Sequence, residues 1–387
     1  MESRHTAVPF WRDVRVLTVF SQIGFVLVLA VAANFFYSNL STAMRQRGLV
    51  AGFDFLQRQA GFEIGEALIP YKPTDVYGTA FIVGLLNTLS VSVLGIFFAT
   101  ILGVLTGVAR LSTNWLINRI AAAYIEIIRN TPLLVQLVFI YFGVFVKFPP
   151  VRESINLGDT FFANQRGVFV PKPMPAHTFP AWVLFIGIAL VIALPLGRAL
   201  LIRTRRVGLA WSAPIILFVA ITVFAWFFVG TPPITFDLPV PGRFNFSGGL
   251  ALSPEFSALL TGLVIYTAAF IAEVVRGGIQ AVRKGQVEAA RALGLGELQI
   301  LQLVIFPQAM RVIIPPLTSQ YLNLAKNSSL AIAIGYPDLF NVGATIANQT
   351  GQPVPVIALI MATYLALSLL TSLVMNIYNA RVQVLEK

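Results

Sequence analysis

Long apolar runs alternate with short polar stretches along this chain. The runs fall at about 16–37, 79–108, 121–146, 181–202, 211–229, 256–275, 311–334 and 354–378. A helix needs about 20 apolar residues to cross a bilayer, and each run approaches or exceeds that length. The pattern predicts an all-α, polytopic membrane protein with about eight transmembrane helices and both ends on the same side. The first run contains Ala30-Val31-Ala32, a small-x-small pattern that a signal peptidase could cut. It is long for a signal sequence, so it reads as a retained span. In either case residues 38–79 lie outside and read as a small amphipathic cap on the membrane surface, with too few apolar residues for a core of its own.

Composition agrees with the pattern. Hydrophobic residues make up 57% of the chain and charged residues 11%, against about 25% charged in soluble domains. The net charge of +11 invites a nucleic-acid reading, but its distribution excludes one. Basic residues gather in alternate loops and at the ends, at Arg4, Arg12, Arg110, Arg119, Arg203, Arg205, Arg206, Arg283, Lys284 and Lys387. In the other loops acids balance bases, as Asp54, Glu63 and Asp75 do beside Arg47, Arg58 and Lys72. The positive-inside rule then places both termini in the cytoplasm. There is no cysteine, so thiol and Cys-metal chemistry are excluded. His5 and His177 are the only imidazoles, which gives a His-based metal site little to build on.

Polar residues inside the runs come next. Asn87, Thr88, Ser90 and Ser92 sit within the second and read as helix–helix contacts in preference to substrate ligands. The third run begins with Glu126-Ile-Ile-Arg129-Asn130-Thr131-Pro132. Glu126 and Arg129 are spaced to pair on one helix face, and Pro132 disfavours helical geometry at Thr131. Two readings stand: a broken helix with a buried ion pair, as in transporter interiors, or a pair at the water interface. Residues 147–180 read as a Pro-rich, irregular outer loop and residues 230–253 as a turn-rich one.

One polar stretch, 276–307, is too long and too ordered for a connector. Residues 286–293 have helical makings, with Val287, Ala290 and Leu293 on a small apolar face. Gly294 and Gly296 break that helix, and a second short run from 297 to 305 ends at Pro307. The arrangement predicts a docking knob on the membrane surface; the plainer reading is a basic cytoplasmic loop.

The spacing within that stretch is specific. Glu288-Ala289-Ala290, three residues, Gly294, nine residues, then Val304-Ile305-Phe306-Pro307 resembles the EAA signature of ABC importer permeases, with Val304 and Phe306 as mild departures. The segments 87–143 and 261–381 resemble the polar-amino-acid permeases of the histidine/glutamine importer type. Glu126, Arg129-Asn130-Thr131-Pro132-Leu133-Leu134-Val135-Gln136 and Lys326-Asn327-Ser328-Ser329-Leu330 look like that family's recurrent elements. The extra material at 1–79 and 181–229 makes the chain similar to the larger subunit of general L-amino-acid importers (the Aap/Bzt type).

The resemblance implies a type I ABC importer permease core with extra helices. It divides the chain into an N-terminal extra helix with its outer segment (1–79), a first core part (80–146), an insertion (147–253) and a second core part (254–387). It implies a bacterial inner-membrane protein that works with an ABC ATPase subunit dimer, a second permease subunit and a periplasmic or extracellular amino-acid-binding protein. ATP and Mg would be bound by the ATPase, since this chain lacks a P-loop, holds no cofactor and is no enzyme itself. Arg283, Lys284, Glu288, Ala289, Ala290, Arg291, Gly294 and Pro307 would couple it to the ATPase, with Glu288 meeting a basic group and the three bases acidic ones. Asn327, Ser328 and Ser329, and less strongly Asn87, Thr88, Thr131 and Gln136, would line the pathway of a zwitterionic substrate. Lys326 would attract the substrate carboxylate or pair with a neighbour. The alternatives are an ion-coupled secondary amino-acid transporter and a membrane-embedded enzyme. The first would want carboxylates at midmembrane, where only Glu126 and Glu273 come near, and the second lacks a catalytic cluster.

Overall fold

The computed structural model of the chain describes residues 14–46, 52–204, 207–228, 231–242 and 245–383. Arg4, His5, Arg12, Arg47, Arg205, Arg206 and Lys387 lie outside the described residues. In chain order the helices are α1 (Val14–Gln46), α2 (Tyr77–Ala109), α3 (Trp115–Asn130), α4 (Leu133–Gly143), α5 (Phe179–Thr204), α6 (Val207–Phe228), α7 (Pro254–Gln280), α8 (Lys284–Ala292), α9 (Glu297–Ile300), α10 (Phe306–Asn327), α11 (Leu339–Thr350) and α12 (Pro353–Gln383). Every apolar run of the sequence is helical. Among the described residues six stretches are long and apolar enough to cross a membrane: Leu17–Phe36, Tyr77–Ala109, Phe179–Leu200, Pro254–Gln280, Glu297–Ile334 and Pro353–Ile377. The run expected at 121–146 is a pair of helices bent by 104°, a seventh span if counted as one, and Ser212–Phe227 is a shorter apolar helix. The expected eight are therefore six long spans, one broken and one short.

The Cα framework divides into two compact units. The first comprises residues 1–92, 310–332 and 337–387. Its core joins Phe55, Ala60, Tyr77, Phe81, Leu339, Val342, Ile346 and Ile360. Residues 52–76 are therefore not a cap lying on lipid. Phe55 is 1% exposed, Phe62 and Tyr71 pack on the same cluster, and the Tyr77 hydroxyl donates to Gln349 Oε1 at 3.1 Å. The segment cannot build a core alone, so its aromatic side chains complete one offered by α2, α11 and α12. A Cβ on Gly84 would come within 3.1 Å of the Leu339 Cα, so glycine lets α2 and α11 touch at that point.

The second unit comprises residues 93–309 and 333–336. Here α3 and α4 pack on α7, and α5 packs on α6. A Cβ on Gly103 would lie 2.6 Å from the Ile271 side chain, and one on Gly107 would lie 2.7 Å from the Ala272 carbonyl oxygen. Small residues on α2 thus seat the branched side chains of α7. The outer loops are not irregular. They contain strands β1 (Ile155–Leu157), β2 (Phe161–Asn164), β3 (Gly167–Val170), β4 (Lys172–Pro175), β5 (Ile234–Asp237), β6 (Val240–Pro241), β7 (Phe246–Ser247) and β8 (Leu250–Leu252). These form an antiparallel sheet β1-β2-β3-β8 and the pairs β4-β5 and β6-β7. Phe162 and Phe169 sandwich the Phe246 ring at 4.7 and 4.6 Å between centroids, which gives the sheet a core of its own. Gly167 has φ +132°, and a Cβ there would fall 2.1 Å from the Leu252 carbonyl oxygen, so only glycine fits where β3 meets β8. Strand β8 ends just before Ser253, whose hydroxyl accepts from the Phe256 amide at 3.0 Å and starts α7.

Candidate functional site

Three groups of residues carry the sequence expectations. The first follows α7. Arg283 turns the chain in extended geometry and α8 begins. Ala290 is the buried residue of α8, while Glu288, Ala289 and Arg291 are exposed. Gly294 ends the helix at φ +78°, with its amide on the Arg291 carbonyl at 2.9 Å and the Leu295 amide on the Ala290 carbonyl at 3.2 Å. The expected elbow is thus present, though its apolar face is not the expected one. Leu293 sits at the end of the helix, where the turn swings it out, and is 81% exposed.

Two further expectations change. Arg291 is already engaged: its Nε donates to Glu297 Oε1 at 2.9 Å and its Nη2 to Oε2 at 3.3 Å. The reversal at Gly294 carries Glu297 back to it, forming a bidentate clamp across the elbow. Glu288, Arg283 and Lys284 remain the exposed charges. Pro307 does not end the second helical run. After α9 the backbone widens to a π-turn over Leu301–Ile305, and α10 continues through Pro307. The widened turn absorbs the N–H that Pro307 lacks, and the Gln308 side-chain Nε2 donates to the Val304 carbonyl at 3.0 Å.

The second group is the break between α3 and α4. Thr131, ahead of Pro132, has φ −105° and ψ 129°, as a residue before proline prefers. The carbonyls this frees are met by side chains. Gln136 Nε2 donates to the carbonyls of Ile128 and Thr131, both at 2.9 Å, and the Thr131 hydroxyl donates to the Ile127 carbonyl at 2.8 Å. Gln136 is buried, and its Oε1 has no partner. Two of the pathway candidates are thereby spent on closing the break. Among the described residues Glu126 and Arg129 form no ion pair: both are exposed, and the Arg129 guanidinium lies over the Phe270 ring, 5.1 Å from its centroid. The ion pair of this region is Glu273 with Arg276, at the same i, i+3 spacing on α7, and Arg276 also donates to Gln280 at 2.6 Å. Nothing in the sequence distinguished the two pairs.

The third group lies in the first unit. Asn87 is fully buried and its amide donates to the carbonyls of Glu66 and Pro337, at 2.8 and 2.9 Å. Thr88 Oγ1 accepts from the Leu339 amide at 3.0 Å. Both hold the approach to α11 and are helix contacts, the preferred sequence reading. Asp338, buried, caps α11 through the Asn341 amide at 2.9 Å and accepts from the Tyr364 hydroxyl at 3.4 Å. Burial pushes its carboxyl up to about 6, against the hydrogen bonds that favour the ion. The sequence signal for this cap was an Asp directly before the run Leu339-Phe340-Asn341-Val342. Ser328 is buried and donates to Ala325; Asn327 is half-buried. Ser329 and Lys326 line a cavity of about 460 Å³ with Phe340, Met361 and Tyr364. Among the described residues Lys326 pairs with no carboxylate. Of the pathway candidates, Ser329 lines this cavity, with Lys326 beside it, though its hydroxyl donates to the Lys326 carbonyl at 2.8 Å.

Comparison with known proteins places the chain. The family described as binding-protein-dependent transport system inner membrane component matches residues 186–384. A putative amino-acid ABC transporter permease protein, YhdX of Escherichia coli (strain K12), is 46% identical over 95% of this chain and 94% of its own length. The general L-amino acid transport system permease protein AapQ of Rhizobium johnstonii is 45% identical, over 98% of this chain and 94% of its own. The glutamate/glutamine/aspartate/asparagine transport system permease protein BztB of Rhodobacter capsulatus is 38% identical, over 97% and 96%. The helical membrane architecture, the exposed elbow at Gly294 and these near full-length matches agree: the chain belongs to the family of binding-protein-dependent transport system inner membrane components, and within it to the ABC transporter permeases.

Proposed function

We propose that the chain is a permease subunit of an ATP-driven importer of amino acids, of broad polar or general L-amino-acid range, in a bacterial inner membrane with both termini cytoplasmic. Its partners are an ATPase dimer that binds ATP and Mg, a second permease subunit and an external binding protein. Membership of the family supports this assembly. The observation that carries the coupling role is the helix–glycine–helix elbow at 284–300, which leaves Arg283, Lys284 and Glu288 exposed while the Arg291–Glu297 clamp fixes its angle. A partner's groove can read those charges for orientation. The ion-coupled alternative finds no favourable observation.

The test is reconstitution of the whole complex in proteoliposomes with ATP inside. Glu288→Lys should leave the chain inserted and ATP hydrolysis running while amino-acid uptake falls at least tenfold. Normal uptake by that variant removes Glu288 from the coupling role, and uptake with the ATPase subunits omitted removes the ATP-driven reading altogether.

A further inference from the structure

The turn between α2 and α3 is built more carefully than a connector needs. Arg110 is half-buried and held in place: its Nη1 donates to Asn118 Oδ1 at 2.6 Å, and Asn118 Nδ2 donates back to the Arg110 carbonyl at 2.6 Å. Asn114 already takes the amides of Leu116 and Ile117, so the helix end is not the attraction. A cavity of about 390 Å³ opens there, lined by Arg110, Ser112, Thr113, Trp115, Asn118 and Arg119. Two guanidinium groups and two hydroxyls line it, and no carboxylate does. Glu273, whose carboxylate feels the charge of Arg110, is held by Arg276.

A second cavity, of about 470 Å³, runs along the same hairpin. Its walls are Leu102, Leu105 and Ala109 on α2 and Ile117, Ile120 and Tyr124 on α3, the same i, i+3, i+7 stripe on each helix. It is apolar, and the Tyr124 hydroxyl is spent on the Ile265 carbonyl at 2.6 Å. The two cavities adjoin in sequence on both walls: Ala109 precedes Arg110, and Ile117 and Ile120 flank Asn118 and Arg119. Trp115, 70% exposed, stands at the polar end, the position an indole takes at a membrane interface.

We propose that this hairpin is a binding site for an anionic phospholipid, its phosphate between Arg110 and Arg119 and one acyl chain along the α2–α3 groove. A preset arginine fork suits a phosphodiester better than a mobile lysine would. Free phosphate offers the same anion, yet it would leave the apolar groove without a role. A bilayer supplies both halves in one molecule.

The full-length chain, purified in detergent and stripped of lipid, is titrated with phosphatidylglycerol, phosphatidylcholine and inorganic phosphate, with bound species counted by native mass spectrometry. The expected result is one phosphatidylglycerol retained per chain at least tenfold more tightly than phosphatidylcholine. Arg110→Gln with Arg119→Gln should lower that retention about tenfold, and Ala109→Phe, which fills the groove, should lower it without touching phosphate binding. Arg198→Gln, on α5, is the control for general positive charge and should change nothing. Equal retention of the two lipids, or equal loss in the Arg198 control, overturns the site. Inorganic phosphate displacing the lipid at equal concentration reassigns the pocket to the free anion and overturns the lipid reading. Arg119 makes no hydrogen bond among the described residues, so Arg119→Gln alone carries the test if the double variant fails to fold; it should cost about threefold, and no loss at all counts against the proposal.

Discussion

The chain interrupts its helices at Pro132 and at Gly294, and the two interruptions are built on opposite plans. At Pro132 the side chains turn inward. Gln136 and Thr131 take the carbonyls that the proline frees, and Arg129 rests on Phe270. At Gly294 the backbone closes on itself through the Arg291 and Ala290 carbonyls, and the side chains point outward. Both stretches carry the family's recurrent residues. At the first, Gln136 and Thr131 repair the helix that Pro132 breaks, so their donors are consumed. At the second Arg283, Lys284 and Glu288 stand exposed, with no side-chain hydrogen bond among the described residues. A polar motif in a membrane protein is therefore a poor guide to ligand contact until its hydrogen bonds have been accounted for.

The sharpest way to break this contrast is Gly294→Val. A Cβ at Gly294 meets nothing within 4 Å, so the cost is one of backbone torsion alone. A left-handed position costs an L-residue about 1–2 kcal/mol, and a β-branched one more. The elbow should re-aim, and uptake by the reconstituted complex should fall at least tenfold with the chain still inserted. Gly294→Asn, which tolerates that geometry, should keep most of it. If valine transports as well as glycine, the angle of the elbow is not what the partner reads.

The next test addresses the sealed break. Gln136→Leu keeps the volume and strips the caps from the Ile128 and Thr131 carbonyls. The Ile128 carbonyl keeps the Thr131 amide at 3.4 Å, so the Thr131 carbonyl is the one left alone, at about 1–3 kcal/mol, against which the loss of the unpaired Oε1 returns part. The melting temperature in detergent should drop by several degrees, with a larger drop than for Thr131→Val. A variant that melts like the native chain would mean that water already serves these carbonyls, and the break would then be open, like the elbow.

Much of this was legible in the sequence. Apolar length alone located the long helical runs, since a span must satisfy its own backbone and only a helix does so locally, but it passed over α11, which is short and holds polar residues. Pro132 and Gly294 announced their breaks because their torsional limits act within one residue. What stayed hidden depends on partners distant in the chain. Glu126–Arg129 and Glu273–Arg276 have identical spacing, and tertiary packing alone decides that the second pairs. The strands at 155–170 are three or four residues long, too short for periodicity to register, and their Phe162–Phe169–Phe246 core spans two loops separated by α5 and α6. Asn87 needed Pro337 before its role could be told from a pathway.

Asp338 extends the sealed plan to a charge. Its carboxyl is raised to about 6 by burial from an ordinary value of 3.8, so the folded state binds a proton more readily than the unfolded one. The stabilisation from that proton is full below about 4 and is lost as the pH rises through about 6, roughly 3 kcal/mol at most. Asp338→Asn keeps the cap on α11 and removes the titration. The variant should melt higher than the native chain at pH 7.5, and the gap should narrow towards pH 5. A gap that does not change with pH would show that the carboxylate is hydrated, and the first unit would lose its buried charge.

The smallest effect belongs to the clamp at the open interruption. Arg291 and Glu297 are largely exposed, with side-chain accessibilities of 57% and 76%, and exposed ion pairs contribute little to global stability. Arg291→Gln should leave the melting temperature within error. Its consequence is local: without the clamp, Gly294 alone sets the angle between α8 and α9, and the Leu295 amide, bonded to the Ala290 carbonyl, should exchange hydrogen measurably faster. Raising the salt concentration should bring the native chain toward the variant, because screening acts on the pair but not on the glycine. If exchange at Leu295 is unaffected by both the substitution and the salt, the torsion of Gly294 is sufficient, and Arg291 joins Arg283 and Lys284 as a charge free for the partner.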